Sequence, residues 1–153
     1  MKKSSILILI IICLCGCGKS SKKTSITGEI KGLGTDTLYL YGMDESFDRI
    51  DTIFANGDKF SYTTSIDTIT SAYLLIDNQI EYPIFLDKGN QIKIKGNIDH
   101  LEFLDINGNK YNEEFTAFQK ELGSLNNPSE KDLEQKAEEF ITAHHSSFVS
   151  LYL

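Results

Sequence analysis

From Ile26 to about Ile106, apolar and polar residues alternate with a period of two, the mark of half-buried strands. Ile26, Gly28 and Ile30 alternate with polar neighbours. Leu38 and Leu40 face one way and Tyr39 and Tyr41 the other, and Ile50, Thr52 and Phe54 form a third run. Asn56-Gly57-Asp58 supplies a hairpin turn, because Asn and Gly take positive φ cheaply, and Phe60 and Tyr62 continue on the returning strand. Tyr73 to Ile76 is a short apolar run closed by Asp77-Asn78, after which Ile80, Tyr82, Ile84 and Leu86 alternate. Pro83 inside that run cannot donate a ladder hydrogen bond, which puts the strand at an edge or a bulge. Ile92 and Ile94 point inward while Lys93 and Lys95 face water, and Leu101 to Ile106 is the last strand. Seven or eight short strands with turns between them predict a mainly β domain, an antiparallel sandwich or barrel.

At Gly108 the period changes. Tyr111, Phe115, Phe118 and Leu122 make one stripe of an amphipathic helix, with Gly123 as its C′ residue. Ser129 to Asp132 resembles a capping box, opening a second helix with Leu133, Ala137, Phe140, Ile141 and His144 on one face. Phe148 to Leu153 is too short to be stable alone, so it either docks on the domain or leads into a further element.

The first residues set the address. Lys2 and Lys3 precede an unbroken apolar run from Ile6 to Leu14, the n- and h-regions of a secretory signal. Nine apolar residues fall well short of the roughly 20 that a membrane-spanning helix needs. Leu14-Cys15-Gly16-Cys17 resembles the lipobox of bacterial lipoproteins, which implies cleavage between Gly16 and Cys17 and a diacylglyceryl thioether on Cys17. The expected organisation is a signal over residues 1–16, a lipidated flexible tether over 17–25, a β-rich domain over 26–108 and a helical tail over 109–153. No acidic run follows Cys17, which favours a periplasm-facing position on the inner or outer membrane.

Cysteine and charge narrow the function classes. Cys13, Cys15 and Cys17 are the only cysteines. Two leave with the signal and the third becomes a thioether, so the mature chain has no thiol for a disulfide, redox step or nucleophilic attack. Losing Met1 to Gly16 removes two lysines and no acid, so the net charge moves from −7 to −9. Such a chain is ill suited to nucleic acid, whose backbone is bound by Lys and Arg. Arg49 is the only arginine, and the lysines suggest no basic face for lipid headgroups.

An ordered set of short motifs carries a family resemblance. It runs from Ile26-Thr27-Gly28-Glu29-Ile30 and Thr37-Leu38-Tyr39-Leu40 to Asp51-Thr52, Asn56-Gly57 and Phe60. Pro83-Ile84-Phe85-Leu86, Gly89, Ile92, Ile94 and Gly96 follow, then Gly108, Asn112 and Phe115. The set resembles the domain of unknown function that precedes a thioredoxin-like domain in many bacterial lipoproteins of the thiol–disulfide oxidoreductase type. The resemblance implies a β-rich module on the outer side of a bacterial membrane. In such proteins a Cys-x-x-Cys in the thioredoxin-like domain does the chemistry. No such motif occurs through Leu153, so that activity is assigned to no residue here.

No other motif rises to a catalytic or metal site, and no cofactor is expected. Asp105-Ile106-Asn107-Gly108-Asn109 opens like a calcium loop, but the sixth and twelfth positions are Lys110 and Thr116 instead of Gly and Glu. His144 and His145 are adjacent, so on a helix they diverge by about 100°, and His100 is the only other histidine. Asp44, Glu45, Asp48 and Asp51 cluster between two strands, where a polar loop is the default and Asp51 is expected to bond backbone at a strand start. Tyr39, Tyr41 and Tyr62 could form an outer aromatic face of the kind that partners recognise; packing beneath the helices is the favoured account. The sequence therefore points to a lipid-anchored, non-enzymatic envelope module that binds or spaces. The alternatives are the front part of an oxidoreductase lacking its catalytic domain and, more weakly, a small-ligand binder at the sheet edge near Pro83.

Overall fold

The computed structural model describes residues 23–43 and 45–153. The basic and apolar leader, the cleavage site at Gly16 and Cys17, and Asp44 lie outside these described residues. Eight strands, β1 (Lys23–Lys31), β2 (Thr37–Gly42), β3 (Ile50–Asn56), β4 (Lys59–Ser65), β5 (Thr70–Ile76), β6 (Ile80–Leu86), β7 (Gln91–Asn97) and β8 (Asp105–Asn107), precede three helices. The helices are α1 (Lys110–Gly123), α2 (Glu130–Ala143) and α3 (Val149–Tyr152). The strands form one sheet in the order β6-β5-β2-β3-β4-β1-β7-β8, nearly closed into a barrel, as the period-two pattern implies.

All strand pairs are antiparallel except β1 with β7. β7 follows β6 through the short turn Asp87–Asn90, yet it pairs with β1 and runs parallel to it.

Inward residues fill the barrel: Ile26, Ile30, Leu38, Leu40, Ile53 and Leu74 are all essentially inaccessible to solvent. β3 presents the opposite face from the one expected. Ile53 and Ala55 are buried, while Ile50 and Phe54 are 72% and 74% exposed. The hairpin fixes this register. Gly57 and Asp58 form a two-residue loop with φ of 59° and 70°, so Asn56 pairs with Lys59 and Ala55 with Phe60. The Phe60 ring then lies over Gly28, where an added Cβ would come within 2.1 Å of it. A slip of one residue would turn every side chain of β3 over.

Other boundaries also move. β1 starts at Lys23, inside the stretch read as tether, because Thr24 is buried with its hydroxyl donating to the Asp87 carbonyl at 2.5 Å. Leu101 to Ile106 is not one strand: a 3-10 turn over Ile98–Phe103, begun by the Asn97 side chain accepting from Asp99 N at 3.0 Å, precedes the short β8. Gly123 is the last residue of α1 and not a left-handed cap. Its missing side chain admits the Phe103 ring, 2.4 Å from where a Cβ would stand. The capping box of α2 forms, with Asp132 Oδ2 accepting from Ser129 N at 2.8 Å. α2 buries no residue fully and leans on α1 through the Phe140 and Phe118 rings, 5.1 Å apart.

The gap between β6 and β8 is where α1 sits. Pro83 lies on edge strand β6, as its missing donor requires. Two residues on, the main chain of Phe85 points away from β5, and Asn112 completes it. Asn112 Oδ1 accepts from Phe85 N at 2.9 Å and Nδ2 donates to Phe85 O at 2.8 Å. On the other rim, Thr116 Oγ1 accepts from Ile106 N at 3.1 Å and donates to Ile106 O at 3.0 Å. Asn109 caps α1 through Asn112 N and also donates to Phe85 O and Asn90 Oδ1. Between these clamps the Phe115 ring meets Tyr82 and Phe85 edge-on at 6.0 and 5.9 Å. The C-terminal segment docks here too, with Val149 buried and the Tyr152 ring 5.5 Å from Phe115.

Asn112→Leu keeps the size of the side chain and strands the buried Phe85 N–H, while Phe85 O keeps the Asn109 amide. Its expected cost, like that of Thr116→Val, is about 2 kcal/mol. Urea unfolding should show lower midpoints at unchanged slope; midpoints equal to the parent's would mean the rims need no clamp.

Candidate interaction surface

Tyr39 and Tyr41 point outward because Leu38 and Leu40 point in, and both tyrosines remain partly exposed. Register places Tyr41 between Ile50 of β3 and Tyr73 of β5, and Tyr39 between Thr52 and Leu75. The Tyr41 and Tyr73 rings are 5.8 Å apart. Phe54 stands one row further along β3, opposite Thr37. Towards the C-terminus the apolar strip continues. Met43, Tyr73, Phe148, Leu151 and Tyr152 line one groove, with Leu151 81% exposed. Packing beneath the helices is therefore the account for Tyr82 and Phe85, whereas Tyr39 and Tyr41 belong to an outer ladder.

Burial is the main reason the Tyr41 hydroxyl has a pKa pushed up to about 12, and its hydrogen bond to Glu81 adds to the effect. Tyr152 is likewise raised to about 12, by burial first and then by its interaction with Tyr73.

Tyr62 does not join this face. It pairs with Ile26 and alternates with buried Phe60 and Thr64, so it points into the barrel. There its hydroxyl donates to Asp51 Oδ2, which also accepts from Arg49 Nε at 2.7 Å. Arg49 Nη2 donates to Thr64 Oγ1, and its guanidinium lies 4.6 Å from the centre of the Phe47 ring. Asp51 thus serves side chains at the barrel end and not a strand-start backbone. Burial, then the Asp51 hydrogen bond, raises the Tyr62 pKa. A carboxylate held by an arginine and a phenol is already neutralised, so this cluster ties β3 to β4. Glu45 and Asp48 are exposed on the loop before β3.

The residues weighed for metals are dispersed. Asp105 pairs with Lys120 at 2.9 Å, and Asn109 caps α1. His144 stacks on Phe140 with ring centres 4.4 Å apart, and His100 lies 3.4 Å from Glu102. Among the described residues, no group of three or more His, Cys, Asp or Glu is placed to hold a metal ion. Among them, too, no helix is long and apolar enough to cross a membrane.

A family model described as a domain of unknown function (DUF4369) matches residues 24–115, from the second residue of β1 to Phe115 in α1. No curated protein and no solved structure matches the chain.

The reversed face of β3 gives a direct test. Ile50→Lys and Phe54→Lys should change stability by no more than about 0.5 kcal/mol, whereas Ile53→Ala should cost about 2–5 kcal/mol. The opposite order in thermal unfolding would restore the face read from the sequence. A second expectation concerns alkaline pH. A folded pKa above the unfolded value near 10 means that the neutral phenol is favoured in the fold. The stabilisation from Tyr41 is therefore complete below about pH 10 and lost as pH rises through the window towards 12. Tyrosinate absorbance should show a late-titrating group that Tyr41→Phe removes.

Proposed function

This chain belongs to the DUF4369 family, a domain of unknown function, and on that footing we propose that it is a lipid-anchored bacterial envelope protein. Its β barrel serves as a non-catalytic binding or spacer module facing the periplasm. The Lys2-Lys3, Ile6–Leu14 and Leu14–Cys17 pattern supports the anchor, with cleavage after Gly16 and two acyl chains on Cys17. More than one chain is what makes lipid anchoring durable.

The outer ladder is the observation that carries the binding role. Ile50 leaves most of its surface in water beside Tyr41, as does Phe54 two rows away opposite Thr37, on a face that needs neither for the core. Exposed aromatic and apolar side chains grouped in this way are what protein interfaces are built from. The absence of a thiol other than Cys17 after processing supports the non-catalytic half of the proposal.

A second reading rests on the motif order that resembles domains preceding thioredoxin-like domains. In that reading this barrel is the front part of a thiol–disulfide oxidoreductase whose catalytic domain lies outside these 153 residues. An in-frame or frameshifted Cys-x-x-Cys thioredoxin-like continuation in the DNA after codon 153 would favour it.

Mass spectrometry of protein from its native host should find Cys17 as the first residue, carrying acyl groups, and Cys17→Ser should move the protein to the soluble fraction. An intact leader or an unmodified Cys17 thiol would remove the anchor from this account. The purified mature chain should not reduce insulin disulfides, and reduction that survives Cys17→Ser would refute the non-catalytic role.

A further inference from the structure

The lysines look scattered in the sequence, yet the fold collects them, correcting the expectation that the chain has no basic face. Five lysines, Lys23, Lys31, Lys59, Lys93 and Lys95, occupy outward positions of β4, β1 and β7. Glu29 is the single acid among those positions, and the rest are Ser, Thr, Gln or Asn. Register sets them in rows: Ser61–Thr27–Lys93 lies beside Lys59–Glu29–Lys95, and Lys31 follows beside Asn97. Lys59, Lys93 and Lys95 rim a shallow depression of about 240 Å³ whose floor includes Thr27 and Gly28. Glu29 stands 3.8 Å from Lys59, so it offsets one of these charges. This concentration of positive charge sits on a chain whose net charge is −7.

We propose that the β4–β1–β7 face lies flat against anionic phospholipid headgroups of the membrane that holds Cys17. The inference rests on the lipoprotein reading for its setting. Charge complementarity selects the occupant: an acidic protein is repelled by an anionic bilayer everywhere except where its lysines gather. Covalent reach brings the face there. Lys23 is six steps along the chain from Cys17, a span of at most about 20 Å. β1 therefore starts close to the surface, and laying its axis along the bilayer brings Lys93, Lys95 and Lys59 within the Debye length of about 8 Å. The outward side chains of this face are lysines and short polar groups, suited to headgroup contact without insertion. In that pose the Tyr41–Tyr73 ladder, on the other half of the barrel, points away from the lipid.

The test uses the mature-length chain with Cys17→Ser, so that no acyl chain contributes. Sedimentation with vesicles of equimolar phosphatidylglycerol and phosphatidylcholine is compared with phosphatidylcholine alone. The protein should pellet only with the anionic vesicles and be released by added salt. Each lysine near the surface is worth about fivefold in partitioning, so Lys59→Gln, Lys93→Gln and Lys95→Gln together should lower it on the order of 100-fold. Lys110→Gln, Lys131→Gln and Lys136→Gln together make the same change in net charge on the helices and should leave partitioning intact. Urea midpoints confirm that both triple variants are folded; single Lys93→Gln and Lys95→Gln replace the first triple if it unfolds. Absence of binding to anionic vesicles, binding to both vesicle types, or equal losses in the two triple variants would overturn the proposal. Because the chain tested is unacylated, failure here is separable from failure to find acyl groups on Cys17.

Discussion

The barrel depends on two side chains that finish main-chain hydrogen bonding where the sheet runs out. A nearly closed sheet leaves the peptide groups of its two margins without strand partners. A buried margin of that kind costs as much as the missing bonds. Asn112 supplies an acceptor and a donor to Phe85, and Thr116 does both with one hydroxyl for Ile106. Their spacing of four residues puts them on the same side of α1 with Phe115 beside them. The helix therefore seals the polar rims and fills the apolar gap in a single placement. It is part of the domain and not a connector hung from it.

Closing the barrel in this way frees its exterior to be divided by charge and polarity. Strand register carries the lysines of β1, β4 and β7 to one half and the tyrosines of β2 and β5 to the other. Neither cluster is compact in the sequence: Lys59 and Lys95 are 36 positions apart and meet because both flank Glu29. The polar group at one barrel end, Asp51 with Arg49 and Tyr62, uses the only arginine of the chain to hold β3 and β4 together.

Most strands were legible because period-two alternation reports burial directly, as with Ile26 and Ile30 or Leu38 and Leu40. β3 misled because Ile50-Asp51-Thr52-Ile53-Phe54-Ala55 offers an apolar residue to each face. The two-residue turn at Gly57-Asp58, and not hydrophobicity, decides which face goes in. Thr24 was read as tether for a related reason: a buried hydroxyl satisfied by a carbonyl looks polar in a sequence and behaves as core. Asn112 and Thr116 escaped notice as structural residues because their role requires strand edges that only the assembled sheet creates. Pro83 was the one local hint of such an edge. The lysine-rich face was equally invisible, since it needs a parallel pairing of the first strand with the seventh.

That late helix has a consequence for how the chain reaches its native state. Delivered from the N-terminus, all eight strands are available before Asn112 and Thr116 arrive, and until then both rims stay unsealed. Bare rims of this kind are templates for a neighbouring chain. The hazardous interval ends when the first two turns of α1 latch shut, so chaperone demand should peak in chains extending just past β8.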